Sequence, residues 1–367
     1  MELLKKLYEI HSPSGCEKKI KRFIRTYIAE NIEGAQIVDN RDGNIYVVKG
    51  ESDTYPCVVA HLDQVQKVHS EDFIAVETDD IIFGYSPKNR QREGLGADDK
   101  NGLWIGLKCL EEFDIIKIAF FVGEEIGCVG SGKCNMAFFN DCRFVIEPDR
   151  KGSRDLITSI SGKICSDKFK EDIRSQLFGY EATSGLMTDV LELCERGVGL
   201  SCINLSCGYY EPHTSDEFAV KDDLLNCLAF VRHIIETCTE VYPHKYEDYY
   251  SSPYGNAYRY SGYSSSHYSG YSHDYDDYDR GWDSKRCGIK VLHAREFADL
   301  ESFVDQLIYE NIGYEPEELW PYVSSDLETF GVTEDQFLGI AYQLWWDYNE
   351  DWYERQYGAT YARDYEG

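Results

Sequence analysis

The sequence predicts an α/β fold: a three-layer domain whose mostly parallel sheet is flanked by helices, followed by a small, mainly helical C-terminal module. Three observations carry this expectation. Between positions 57 and 239, short apolar runs of strand length alternate with longer segments of helical periodicity, the pattern of a parallel sheet with crossover helices. The stretch Tyr246–Asp279 is dominated by Tyr, Ser, Gly and Asp with almost no aliphatic residue, so it cannot bury a core. Residues 286–367 then resume a mixed apolar pattern. The expected boundaries are 1–242 for the α/β domain, 243–285 for a disordered linker and 286–367 for the acidic helical module.

The elements follow in order. Leu3, Leu4 and Leu7, then Ile20, Phe23, Ile24, Tyr27 and Ile28, have helical spacing, and Ser12-Pro13-Ser14-Gly15 breaks them into two helices. Glu17 follows Ser14 by three, the spacing of a capping box. Strands are expected at 35–38, at 44–48 after the turn Arg41-Asp42-Gly43, and at 57–60, 117–122, 143–146 and 200–205. Helices are expected at 100–112, 130–139, 186–195 and 222–239. In the module, 297–309 and 334–348 read as helices, with Phe303, Leu307, Phe337, Ile340, Leu344 and Trp345 on apolar faces.

Composition narrows the function. The net charge of −29 argues against a nucleic-acid surface, since phosphates would be repelled. Residues 243–367 hold nine Lys/Arg against 25 Asp/Glu, so the excess is concentrated there. No apolar run reaches the length of a membrane span, and the first residues lack the pattern of a secretion signal. Thirteen scattered cysteines read as reduced thiols. The expectation is a cytoplasmic protein without nucleic-acid or membrane partners. His11, His69, His233 and His293 read as surface or helix residues.

Five segments place acids or histidines at expected strand ends or in nearby loops, where open α/β sheets gather ligands. In Ala60-His61-Leu62-Asp63, the aspartate can hold the imidazole from behind. Gly96-Ala97-Asp98-Asp99-Lys100-Asn101-Gly102 opens a helix, where a carboxylate either bridges two cations or serves as an N-cap. Gly123-Glu124-Glu125-Ile126-Gly127 follows an apolar strand. Two adjacent carboxylates, if buried, need a cation or proton, and one can bind metal while the other moves a proton. In Ile146-Glu147-Pro148-Asp149, either acid could be a ligand. Glu211-Pro212-His213 supplies a loop histidine. Together His61, Asp98, Glu125, Asp149 and His213 supply two three-ligand shells sharing one carboxylate. Nitrogen and oxygen donors suit two divalent ions, zinc first, with manganese or cobalt as alternatives.

With these segments in hand, the sequence resembles the co-catalytic metallopeptidases of the M20, M28 and M42 families, including their tripeptidase and aminopeptidase branches. The matching stretches are SPSGCE, DNRDGNIYVVKG, AHLDQV, GADDKNG, VGEEIG, FVIEPD, SGLMTD and GYYEPHT, in the family's order over roughly residues 1–240. The resemblance implies that Asp98 bridges two metals, that His61 and Asp149 complete one shell and that Glu125 and His213 complete the other. It further implies that Asp63 orients His61, that Glu124 is the general base, and that Asp189 is a structural or pocket acid. Only 63 residues separate Asp149 from His213, and 36 separate His61 from Asp98. The large inserted domains usual in M20 and M42 enzymes therefore do not fit at those places, and a compact catalytic unit is expected.

The function expected is hydrolysis of short peptides, as an aminopeptidase, with room for a homo-oligomer. The alternatives are an N-acyl amino acid deacylase or amidase, and a non-catalytic interaction protein on a peptidase scaffold.

Overall fold

The fold is described from a computed structural model, which covers residues 1–38, 42–247, 300–310 and 316–342. The chain divides into two compact units, Met1–Ser261 and Gly262–Gly367.

The first unit opens with α1 (Glu2–Glu9) and α2 (Lys18–Asn31), then β1 (Ala35–Val38), β2 (Ile45–Lys49) and β3 (Tyr55–His61). A small set follows: β4 (Ile74–Glu77), β5 (Ile81–Ser86) and β6 (Gln91–Glu93). The alternation of the sequence pattern then takes form as α3 (Ala97–Glu112), β7 (Ile116–Phe121), α4 (Val129–Lys133), β8 (Cys142–Arg150) and β9 (Asp155–Ser159). After α5 (Asp167–Asp172) and β10 (Glu181–Ser184) come α6 (Asp189–Glu195), β11 (Cys202–Ser206), β12 (Tyr209–Tyr210), β13 (Phe218–Val220) and α7 (Lys221–Thr237).

Eight strands form one mixed sheet in the order β1-β2-β7-β3-β8-β11-β9-β10. Its centre, β7-β3-β8-β11, is parallel, and β1-β2, β2-β7 and β11-β9 are antiparallel. Every residue of β3 and β7 is buried, as strands covered on both faces require. The period of two divides them cleanly. Val58, Ala60, Ile118 and Phe120 join a core with α1, α2, α3 and α7. Cys57, Val59, Ala119 and Phe121 join a second core with Phe138, Phe139 and α6. The three layers follow from that division.

Several expectations shift. β8 runs on to Arg150, so Glu147 and Asp149 lie within the strand rather than beyond it. Positions 186–188 lie outside α6, because extended Thr188 is its N-cap. The expected capping box does not form: Ser14 Oγ donates to Asp63 at 2.7 Å, and Glu17 accepts the Gly15 N–H instead. The strands β12, β13, β5 and β4 make a second sheet, with β6 paired to β5. It went unread because β5 pairs with β13, some 135 residues later. Pro243 to Glu247, assigned to the linker from composition, pack on the first unit: Pro243 bridges Leu200, and Tyr246 donates to the Ile160 carbonyl at 2.9 Å. The rest of the expected linker lies outside the described residues.

Eleven cysteines are free and buried, whereas Cys16 is disulfide-bonded, so uniformly reduced thiols do not hold at that position. His11 and His69 are half-buried rather than exposed. They stack at 4.5 Å, and His69 stacks on Phe73 at 3.9 Å. Among the described residues, no helix is long and apolar enough to cross a membrane.

In the second unit, helices Leu300–Glu310 and Pro316–Glu328 bury Phe303, Leu307, Leu319, Val323 and Leu327 together with Phe337. The expected helix at 334–348 is described as far as Tyr342; Leu344 and Trp345 lie beyond the described residues.

Ile118 sits fully buried at the middle of β7, so Ile118→Ala should cost about 2–5 kcal/mol. Urea unfolding followed by circular dichroism checks this, and a loss below about 0.5 kcal/mol would contradict its place in the core.

Candidate metal centre

The parallel centre of the sheet brings the polar segments to one end. In register, His61 at the end of β3 faces Phe121 at the end of β7, so the Glu124-Glu125 turn begins beside the histidine. Asp149 reaches the same place from β8, Asp98 from the start of α3, and His213 from the loop between β12 and β13.

Two groups result. His61, Asp98 and Asp149 each offer a donor atom, and these atoms lie within 4.8 Å of one another; Asp98, Glu125 and His213 do the same. Asp98 divides its oxygens between them. Its Oδ1 is 3.1 Å from His61 Nε2, and its Oδ2 is 3.3 Å from His213 Nε2. His61 Nε2 lies 3.5 Å from Asp149 Oδ1, and His213 Nε2 lies 3.2 Å from Glu125 Oε1. Donors at about 2.1 Å from a tetrahedral ion stand about 3.4 Å apart, so both groups have the right span. Glu125 Oε1 is buried with no donor in hydrogen-bond geometry, as suits an oxygen facing a cation. The donor set therefore fits divalent metal at two positions. Glu124 stays outside both groups, its Oε2 3.9 Å from His61 Nε2.

The electrostatics agree. Burial alone would lower the His61 pKa, but Asp149, Asp63 and Asp98 raise it well above the usual value. The Asp98 and Glu125 carboxylates beside it push His213 up to about 10. Burial would raise Asp98, yet His213 and His61 hold it well below the carboxylate range. Burial and the charge of Asp98 push Asp149 up to about 8. Burial also raises Glu124 and Glu125, opposed by His61 and reinforced by neighbouring carboxylates. Four carboxylates share two imidazoles, and the cluster is short of positive charge.

The surrounding side chains hold these groups in place. Asp63 Oδ1 and Oδ2 accept the Glu124 and Glu125 N–H groups at 3.0 and 3.3 Å. His61 Nδ1 is 3.1 Å from the Asp63 carbonyl and 3.4 Å from its carboxylate. Asp63 thus stands behind the imidazole chiefly through its backbone and spends its carboxylate on the acidic turn. Asp99, joined to Asp98 by a cis peptide, turns the other way and accepts the His61 and Gly102 N–H groups at 3.3 and 2.9 Å. A Cβ on Gly102 would stand 2.3 Å from that carboxylate. Lys100 Nζ donates to the Ile10 carbonyl at 2.7 Å and to Gln64.

Of the two acids left open in β8, Asp149 joins the metal-type group and Glu147 does not. Glu147 Oε2 instead accepts Thr188 Oγ1 at 2.5 Å, Asn204 Nδ2 at 3.2 Å and the Val190 N–H at 3.3 Å. It therefore anchors the start of α6, where a carboxylate meets free N–H groups. Asp189 accepts Ser131 Oγ at 2.5 Å, tying α6 to α4.

Sequence reasoning missed Glu217. It is fully buried, and its Oε2 accepts the Gly96 N–H at 2.6 Å and Gln66 Nε2 at 2.9 Å, while Oε1 accepts the Asp98 N–H at 3.2 Å. One carboxylate thus fixes the backbone that aims Asp98. Its position four residues after His213 was the available signal.

No family model matches the sequence, and no curated protein matches it. Solved structures do. A tripeptidase from Staphylococcus aureus aligns with a TM-score of 0.51 at 14% identity, over 64% of this chain and 96% of that one. An aminopeptidase from Bacillus cereus (15% identity, 65% and 98% coverage) and one from the archaeon Desulfurococcus kamchatkensis (17%, 64% and 94%) align with scores of 0.49. The tripeptidase match is a likeness of fold, and it agrees with the resemblance carried by the motifs.

Because Glu217 acts on Asp98 through the backbone, Glu217→Gln should weaken metal binding about 10- to 100-fold with an unchanged circular dichroism spectrum. Competition against a chromogenic chelator measures this; wild-type affinity in the variant would remove Glu217 from the centre.

Proposed function

We propose that the chain is a di-metal exopeptidase, an aminopeptidase acting on short peptides, with residues 1–242 carrying the chemistry. The observation that carries this reading is the division of Asp98, whose two oxygens each serve a separate imidazole–carboxylate group, with Glu124 beside the first.

His61 and Asp149 would hold one ion, Glu125 and His213 the other, and Asp98 both. When bound, such ions, zinc or else manganese or cobalt, polarise a carbonyl and lower the pKa of water toward neutrality. Glu124 Oε2 takes a proton from the attacking water as its oxygen adds to the scissile carbonyl carbon. The same carboxyl returns the proton to the amide nitrogen as the C–N bond breaks, and the amine leaves neutral. Asp63 supports both steps by holding the Glu124 and Glu125 backbone. The fold shared with a tripeptidase supports the reading, and a cytoplasmic location belongs to it.

Aminoacyl p-nitroanilides assayed with added Zn, Mn or Co provide the test. Glu124→Gln should lower kcat by about 10²–10⁴-fold while bound metal, measured by elemental analysis, stays at the wild-type ratio. A variant with near-normal turnover would falsify the role of Glu124.

A further inference from the structure

Beside Asp149 lies a pocket that the chemistry above does not use. Its floor is Ile157 and Ile160, 1% and 4% exposed. Its rim includes Leu186 and Met187, which are 72% and 56% exposed. The sequence placed these two residues at the start of a helix, but the extended Thr188 leaves them on a loop. Gly185 lets that loop lie against the floor, since a Cβ there would stand 2.6 Å from Ile157 Cγ2. The pocket encloses about 50 Å³, and one water needs roughly 10–15 Å³. That is room for about three to five atoms of that size.

From this we infer that the pocket receives an aliphatic side chain of the substrate, on the residue that carries the scissile carbonyl. The inference rests on the peptidase reading and names the substrate class of that site. A side chain of the carbonyl-bearing residue begins two bonds from the carbonyl carbon, and Asp149 is both a wall of the pocket and a member of the metal-type group. Most polar groups nearby already have partners. Arg150 Nε pairs with Asp155 at 3.3 Å, and Thr188 and Asn204 bond Glu147 and Asp149. A carboxylate side chain would have to share Arg150 with Asp155 and would lie near Asp149. An aliphatic one would bury itself against Ile157 and Ile160 and cover Leu186 and Met187, which now face water.

The test compares p-nitroanilides of Leu, Met, Val, Ala, Asp and Lys on the metal-loaded full chain and on a Leu186→Ser/Met187→Ser double variant. Both positions are exposed, so the fold should survive. Leu and Met should exceed Ala by about tenfold or more in kcat/KM. The double variant should lose about tenfold on Leu and stay within twofold of wild type on Ala. Turnover that favours Ala, Asp or Lys, or equal losses on Leu and Ala, overturns the subsite and leaves the peptidase reading standing. Absence of turnover with every substrate and metal overturns both.

Discussion

Charge compensation in a buried place is the constraint on which this structure depends. Asp98, Glu124, Glu125 and Asp149 converge where water has been largely removed, and two imidazoles cannot balance them. A surface loop would tolerate such a set at little cost. At the ends of buried parallel strands, each carboxylate needs a proton, a cation or several N–H donors. The fold supplies donors to the acids that do not face the cluster's centre. Asp63, Asp99, Glu147 and Glu217 each take backbone N–H groups from a segment that carries a cluster residue or abuts one. These buried acids convert loop backbones into fixed supports and leave the central four to be balanced by what they bind.

Much of this was legible in the sequence because it is local. A histidine at the end of a run of buried β-branched and small residues keeps the face set by the strand's period, so the place of His61 follows from Cys57–Ala60. Acids after Phe121 and within 146–149 follow from strand ends in the same way. Compactness between the ligand segments was also legible, from the 63 and 36 residues that separate them.

What was not legible depends on where side chains turn and on partners far along the chain. Glu147 and Asp149 share one face of β8, and only the placement of Thr188 and Asn204 decides that Glu147 serves α6. Ser14 and Glu17 have capping spacing, yet Asp63, 49 residues away, claims the serine. The second sheet depends on pairing between β5 and β13, which no window of sequence contains.

The two halves of the centre differ in how they meet solvent. The imidazole of His61 is 1% exposed and that of His213 is 48% exposed, on a loop where His213 itself has a left-handed backbone with φ of 65°. An ion in the inner half would exchange slowly behind the sheet, and one in the outer half would be open to ligand displacement. Loss to a chelator would then be biphasic, passing through a singly loaded species that keeps the inner ion.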